Sequence, residues 1–172
     1  NGYIEYDYLC ATTLVYFFID LLSKKINSKF KISDFLIYVL LATVCDVMPL
    51  RKLNKILAIN VLKNFKINKN LAFKTIFDRF NLKRNLTIYD LSFLIGPIIN
   101  AGGRLGFSNL GTKFLTSNNV NDAKEIALKL INLNFAHLVR SIEEIQNLMD
   151  KSSNNNTETL FYNDKNKTIK SL

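Results

Sequence analysis

A chain of 172 residues and 19.7 kDa, 48% hydrophobic, 12% aromatic and 22% charged, has the size and mix of one globular core, which excludes wholesale disorder. The formal net charge of +9, from 23 Lys and Arg against 14 Asp and Glu, points to an anionic partner. The longest apolar stretches, residues 8–22 and 35–44, contain or meet Asp20 and Asp46 and fall short of the roughly 20 uncharged residues of a membrane span, so no membrane partner is expected.

Two cysteines, Cys10 and Cys45, make no disulfide framework and suit a reducing, cytoplasmic compartment. The opening at Asn1, with neither an initiator Met nor a leader pattern, predicts a segment internal to a longer protein.

The elements read as follows in chain order. Dense apolar residues between Tyr8 and Ser23, with Leu14, Phe17, Phe18, Leu21 and Leu22 at helical spacing, predict a buried helix. Ser33 is placed to cap a second helix, with Asp34 in its first turn, that Pro49 stops. Leu53, Ile56, Leu57, Asn60, Val61 and Leu62 trace the inner face of a third helix whose outer face holds lysines. A shorter helix spans Leu71 to Phe80, and Thr87 with Asp90 forms a near capping box before a helix running to Ile95 or beyond.

The segment from Gly96 to Gly106 concentrates four of the six glycines and one of the two prolines, which predicts specialised backbone geometry. Helical spacing resumes from Leu110 to Leu115. A long helix capped by Asn119 or Asn121 then runs toward Lys151, with Leu128, Ile131, Phe135, Leu138, Ile142, Ile145 and Met149 as a heptad-like seam. Ser152 to Thr157 reads as a linker and Thr159 to Tyr162 as the start of a strand.

Charge is concentrated rather than spread. Between Arg51 and Arg84 ten basic residues face Asp78 alone, so this block carries the whole net charge of +9. Lys52, Lys55 and Lys63 are its candidates for binding nucleic acid through counterion release; solvated helix faces on a lysine-rich chain are the plainer alternative.

Two constellations could carry chemistry. Asp46 sits between apolar runs, where a carboxylate is costly unless it is paired or holds a metal, although composition alone favours a helix-ending Asp bonded to backbone amides. In Asn100-Ala101-Gly102-Gly103-Arg104 the glycines could let backbone amides approach a phosphate that Arg104 grips with its planar fork; a helix end with a solvent-facing Arg is the alternative. His137, the one histidine, has no ligand partner at metal spacing and reads as structural. Tyr3, Tyr6 and Tyr8 could stack on bases or anchor the segment before the first helix.

The stretch Ala42 to Leu50, Ala-Thr-Val-Cys-Asp-Val-Met-Pro-Leu, and the stretch Gly96 to Leu105, Gly-Pro-Ile-Ile-Asn-Ala-Gly-Gly-Arg-Leu, resemble in order and spacing two motifs of the RecJ family of DHH phosphoesterases. Leu53-Asn54-Lys55 echoes the helix start that follows the first motif, and Cys45 and Met48 replace its usual Ala and Val. The resemblance implies a mainly α fragment of an α/β protein. Residues 1–118 would form the C-terminal part of a DHH domain, 119–151 the long connecting helix, and 152–172 a linker and stub of the second domain.

It further implies hydrolysis of single-stranded DNA from the 5′ end with Mn²⁺ or Mg²⁺, in DNA repair and recombination. Asp46 would be a metal ligand, and Asn100 and Arg104 would face the cleft, where together with Gly102 and Gly103 they are candidates for contacting phosphate. The N-terminal DHH half with the other metal ligands and the second domain are absent from this sequence, so the fragment alone is expected to be inactive. Ile98 stands where an Arg is usual. Two rivals stand beside this reading: another DHH phosphoesterase acting on small nucleotides, and a non-catalytic basic remnant that binds nucleic acid.

Overall fold

The computed structural model describes residues 6–27 and 29–154. Among them there are helices and turns and no strand. The expected linker and strand after Asn154 and the aromatic Tyr3 lie outside the described residues. The helices are α1 (Ala11–Lys25), α2 (Leu36–Cys45), α3 (Lys52–Asn64), α4 (Leu71–Arg79), α5 (Ile88–Asp90), α6 (Gly96–Arg104), α7 (Leu110–Leu115) and α8 (Val120–Asn154).

Residues 1–134 form one compact unit. Its core joins Leu40 and Leu41 of α2, Phe73, Ile76 and Phe77 of α4, and Phe114 of α7 with Ala123, Ala127, Leu130 and Ile131 of α8. One polar thread ties three of these helices together. Asn70 caps α4 by accepting from the Phe73 amide at 3.1 Å, its Nδ2 donates to the Tyr38 hydroxyl of α2 at 3.0 Å, and that hydroxyl donates to the Leu115 carbonyl of α7 at 3.3 Å. One free amide at the start of α4 is thereby satisfied by a side chain that also ties the helix to α2.

Helix α1 forms where expected but is not buried. Only Thr13 of its residues is fully covered, packed beside α2, while Leu14, Phe17, Phe18, Leu21 and Leu22 are exposed. Apolar density reports what a helix is suited to bury, whereas burial requires a neighbour on that face.

The start of α2 also differs from expectation. Ser33 lies inside a 3₁₀ turn, Ile32–Phe35, that leads into the helix, and it does not cap. The helix then ends at Cys45, four residues before Pro49. Asp46 is its C-cap and Val47 turns left-handed at φ 54°, with the Val47 amide donating to the Val44 carbonyl at 3.1 Å and the Met48 amide to the Thr43 carbonyl at 3.0 Å. This is the paired hydrogen-bond pattern of a Schellman terminus, and it stops the helix before proline can.

In α3 the inner face is Asn54, Ala58 and Val61, with Leu57 and Leu62 half-buried, while Leu53, Ile56, Ile59 and Asn60 are exposed beside Lys52, Lys55 and Lys63. The inner stripe is therefore rotated from the expected one. Tertiary packing selected the small residues, because Ala58 and Val61 permit a close approach to α2.

The capping box at Thr87 is complete. Thr87 Oγ1 accepts from the Asp90 amide at 3.3 Å and Asp90 Oδ2 accepts from the Thr87 amide at 2.9 Å. Arg84 adds a bidentate pair to Asp90, both contacts 2.6 Å, so that a carboxylate buried to 1% exposure is fully satisfied. Burial works to raise the Asp90 carboxyl, but the hydrogen bonds from Arg84 and Thr87 outweigh it and hold it below the ordinary carboxylate range.

The glycine-rich segment is not a loop. Helix α5 continues through a π turn, Leu91–Ile95, into α6, so one helical run extends from Ile88 to Arg104. Pro97 has no amide proton and its ring crowds the carbonyl four residues back; the widened turn just upstream accommodates both. Left-handed geometry comes only afterwards, at Gly106 with φ 85°.

Helix α8 starts at Val120, capped by Asn119, whose Oδ1 accepts from the Asn121 and Asp122 amides at 2.8 and 3.2 Å. Its buried stripe within the compact unit is Ala123, Ala127, Leu130 and Ile131; Leu128, expected on the seam, is 44% exposed. From Phe135 onward a second unit begins, in which Phe135, Leu138, Ile142, Ile145 and Met149 are exposed. His137 is half-buried there, and its carbonyl accepts from the Ser141 hydroxyl at 3.0 Å.

Candidate metal and nucleic-acid site

Asp46 stands at the C-terminal end of α2 with an exposed side chain, and among the described residues its carboxylate makes no hydrogen bond or ion pair. It is thus not a carboxylate buried among core residues. Nor does it cap a helix favourably, because the C-terminal end of a helix carries partial negative charge and disfavours a carboxylate by about 0.3–1 kcal/mol. A cation at this position would reverse that penalty.

The residue before it joins the two motifs. Cys45 is half-buried against Gly96 so closely that a Cβ at Gly96 would lie 2.7 Å from the Cys45 sulfur. One helical turn further along α6, the Asn100 side chain comes near enough to the Cys45 thiol to act on its ionisation. Burial first and the neighbouring Asp46 carboxylate second push this thiol above its ordinary range, and the Asn100 contact works against them. Residues 51 and 55 positions apart in sequence are therefore neighbours.

On α6, Gly96, Asn100, Gly103 and Arg104 share one face by helical spacing, with Asn100, Gly103 and Arg104 exposed. Gly103 has open space where a Cβ would stand. The opposite face carries Ile98, Ala101 and Gly102 into the core. A Cβ on Gly102 would lie 2.8 Å from the Phe107 carbonyl oxygen and 3.2 Å from Leu130, so this glycine serves helix packing. Both Gly102 and Gly103 are helical, so in place of amides free to approach a phosphate the segment offers the end of a helix with an exposed Arg104. Ile98, 2% exposed, lies in the core and not beside Asn100.

Residues 47–52 are fastened from beneath by Asn54, a position that periodicity did not single out. Asn54 is 1% exposed, and its Nδ2 donates to the Tyr8 carbonyl at 2.7 Å and to the Pro49 carbonyl at 3.0 Å. Tyr8 is buried, with the Arg51 guanidinium 5.2 Å and the Lys52 ammonium 5.9 Å from its ring centre; it anchors the segment before α1 onto the start of α3. Cys10, also buried, touches the Thr13 and Thr43 hydroxyls at 3.3 and 3.5 Å. Burial works to raise its thiol, but these hydrogen bonds hold it below the ordinary range.

The basic block is only partly free. Arg51 pairs with Asp7 at 2.7 Å, Lys74 with Asp78, and Arg84 with Asp90. Lys52, Lys55 and Lys63 are exposed and make no ion pair among the described residues. Among those residues, no three His, Cys, Asp or Glu side chains converge to hold a metal, and no helix is long and apolar enough to cross a membrane.

No family model matches the chain. The single-stranded-DNA-specific exonuclease RecJ of Haemophilus influenzae is 37% identical over 106 residues, which covers 59% of this chain and 18% of that protein. RecJ of Escherichia coli is 32% identical over 105 residues, again 18% of its length. The crystal structure of RecJ with Mn²⁺ from Thermus thermophilus superposes on 75% of this chain and 19% of its own, at a TM-score of 0.66 and 19% identity.

The chain is similar to one segment of RecJ. It spans about one fifth of the length of the RecJ proteins it matches. The RecJ-like segment shares its helical fold with the Thermus protein, of which a second structure contains Mg²⁺. The two sequence motifs that carry the RecJ resemblance meet in space through Cys45, Gly96 and Asn100.

Proposed function

We propose that this chain supplies one metal-binding carboxylate and part of the DNA-facing wall of a metal-dependent exonuclease that hydrolyses single-stranded DNA from its 5′ end, in repair and recombination, in a bacterial cytoplasm. The observation that carries the reading is an exposed carboxylate, unpaired among the described residues, at the negative end of α2 and next in sequence to Cys45, which packs against Gly96 of α6. Residues 1–118 are read as the C-terminal part of a DHH domain, 119–151 as the connecting helix, and 152–172 as a linker and the start of the second domain.

A hard divalent ion, Mn²⁺ or Mg²⁺, suits an oxygen donor of this kind, and when bound it supplies an activated water and charge neutralisation at the phosphate. Asp46 would hold it together with ligands from outside the described residues. Asn100 offers an amide to the substrate's sugar or phosphate. Arg104 offers a guanidinium fork to phosphate oxygens, next to the open surface at Gly103. Lys52, Lys55 and Lys63 draw in the strand electrostatically.

The test is a nuclease assay on the full-length gene product with 5′-labelled single-stranded DNA, duplex DNA and a dinucleotide. Mn²⁺-dependent degradation of the single strand is expected. Asp46→Asn should abolish most of that rate while leaving DNA binding largely intact, and Arg104→Ala should weaken strand binding. Normal turnover by Asp46→Asn would refute the ligand assignment. Turnover of the dinucleotide alone would favour a small-nucleotide phosphoesterase, and strand binding without cleavage would favour a binding remnant.

A further inference from the structure

Four non-glycine residues among those described have positive φ: Asn27, Val47, Lys52 and Asn81. Asn27 and Asn81 follow the ends of α1 and α4, where a left-handed residue closes the helix and Asn is a favoured occupant. Val47 occupies the same position after α2. It is β-branched, the residue type least suited to that conformation. Packing does not compensate, because Val47 is 86% exposed.

The other unfavourable case, Lys52 at φ 45°, lies five residues further on, so the strain brackets the single loop that leads away from Asp46. That loop is over-determined. Asn54 holds the Pro49 carbonyl from beneath, the Arg51 amide donates to the Pro49 carbonyl at 2.9 Å, and the Val47 and Met48 amides are bonded back into α2. Such enforced outliers concentrate where geometry serves function.

We propose that Val47 is a positioning residue for Asp46, its branched side chain narrowing the backbone freedom of the turn so that the carboxylate is held in one orientation. Glycine or asparagine would close the helix at less strain but would leave the turn free to reorient. The proposal rests on the reading of Asp46 as a metal ligand.

The experiment is Mn²⁺ titration by electron paramagnetic resonance, together with thermal unfolding, on the full-length gene product and its Val47→Gly, Val47→Thr and Asp46→Asn variants. Val47→Gly is expected to melt at a higher temperature and yet bind Mn²⁺ about tenfold more weakly, the size of effect that residues supporting a ligand have. Val47→Thr, which keeps the branch, should retain the parent affinity. A merely structural role would move stability and affinity in the same direction. Parent-like Mn²⁺ affinity in Val47→Gly, with Asp46→Asn impaired, would overturn the proposal alone, as would a Thr variant as weak as the Gly variant. Unchanged affinity in Asp46→Asn, or no Mn²⁺ binding by the parent, would overturn the metal-ligand reading and this proposal with it.

Discussion

Asn54 shows how much one side chain can fix. Both of its neighbours are carbonyl oxygens, so its amide nitrogen must face them, and its Oδ1 is left without a partner among the described residues. That unmet acceptor is outweighed by fastening two backbone carbonyls from segments that no helix satisfies. Replacing Asn54 by Ala strands the Tyr8 carbonyl and leaves the Pro49 carbonyl with the Arg51 amide alone, and should cost about 1–3 kcal/mol, seen as a lower urea midpoint with an unchanged slope. A loss below about 0.5 kcal/mol would mean that water substitutes for the amide. The motif resemblance passed through Asn54, but an Asn among Leu and Lys carries no periodic signal, so its burial was legible only in the structure.

At the scale of elements, the contact between the end of α2 and the start of α6 brings the candidate site together. Gly96 makes that contact possible, since a Cβ there would lie 2.7 Å from both the Cys45 sulfur and the Leu91 carbonyl oxygen. Gly96→Ala should therefore destabilise the protein by about 1–3 kcal/mol, read as a fall in melting temperature. Adding Cys45→Ala should recover part of the loss, because the sulfur is removed while the Leu91 carbonyl stays in place. Full additivity of the two substitutions would show that they do not share this contact. Glycine enrichment in residues 96–106 did signal specialised backbone, but not amides free to approach a phosphate: Gly96 and Gly102 allow close packing, and the π turn absorbs Pro97.

For the whole molecule, charge and exposed apolar surface act together. The outer face of α3 mixes Lys52, Lys55 and Lys63 with Ile56 and Ile59, which suits a flexible strand carrying both phosphates and bases. Changing the three lysines to Gln should lower single-stranded DNA affinity and flatten its dependence on salt by up to about 2 in the log–log slope, measured by fluorescence anisotropy across a salt series. An unchanged slope would return these lysines to the role of solvating a helix. Arg51 and Arg84, equally basic in the sequence, are engaged with Asp7 and Asp90 and should contribute less.

Most helix positions, the caps at Thr87 and Asn119, and the clustered charge follow from the sequence alone, because they depend on side chains within a few residues of each other. The resemblance of two short motifs likewise placed Asp46 and Asn100 in one candidate site before any fold was known. Which faces are covered is a different matter. The exposure of α1, the rotated inner stripe of α3, the burial of Ile98 and the left-handed turn at Val47 all depend on what packs against each element. Periodicity records how apolar a face is, whereas only long-range packing determines whether another surface meets it.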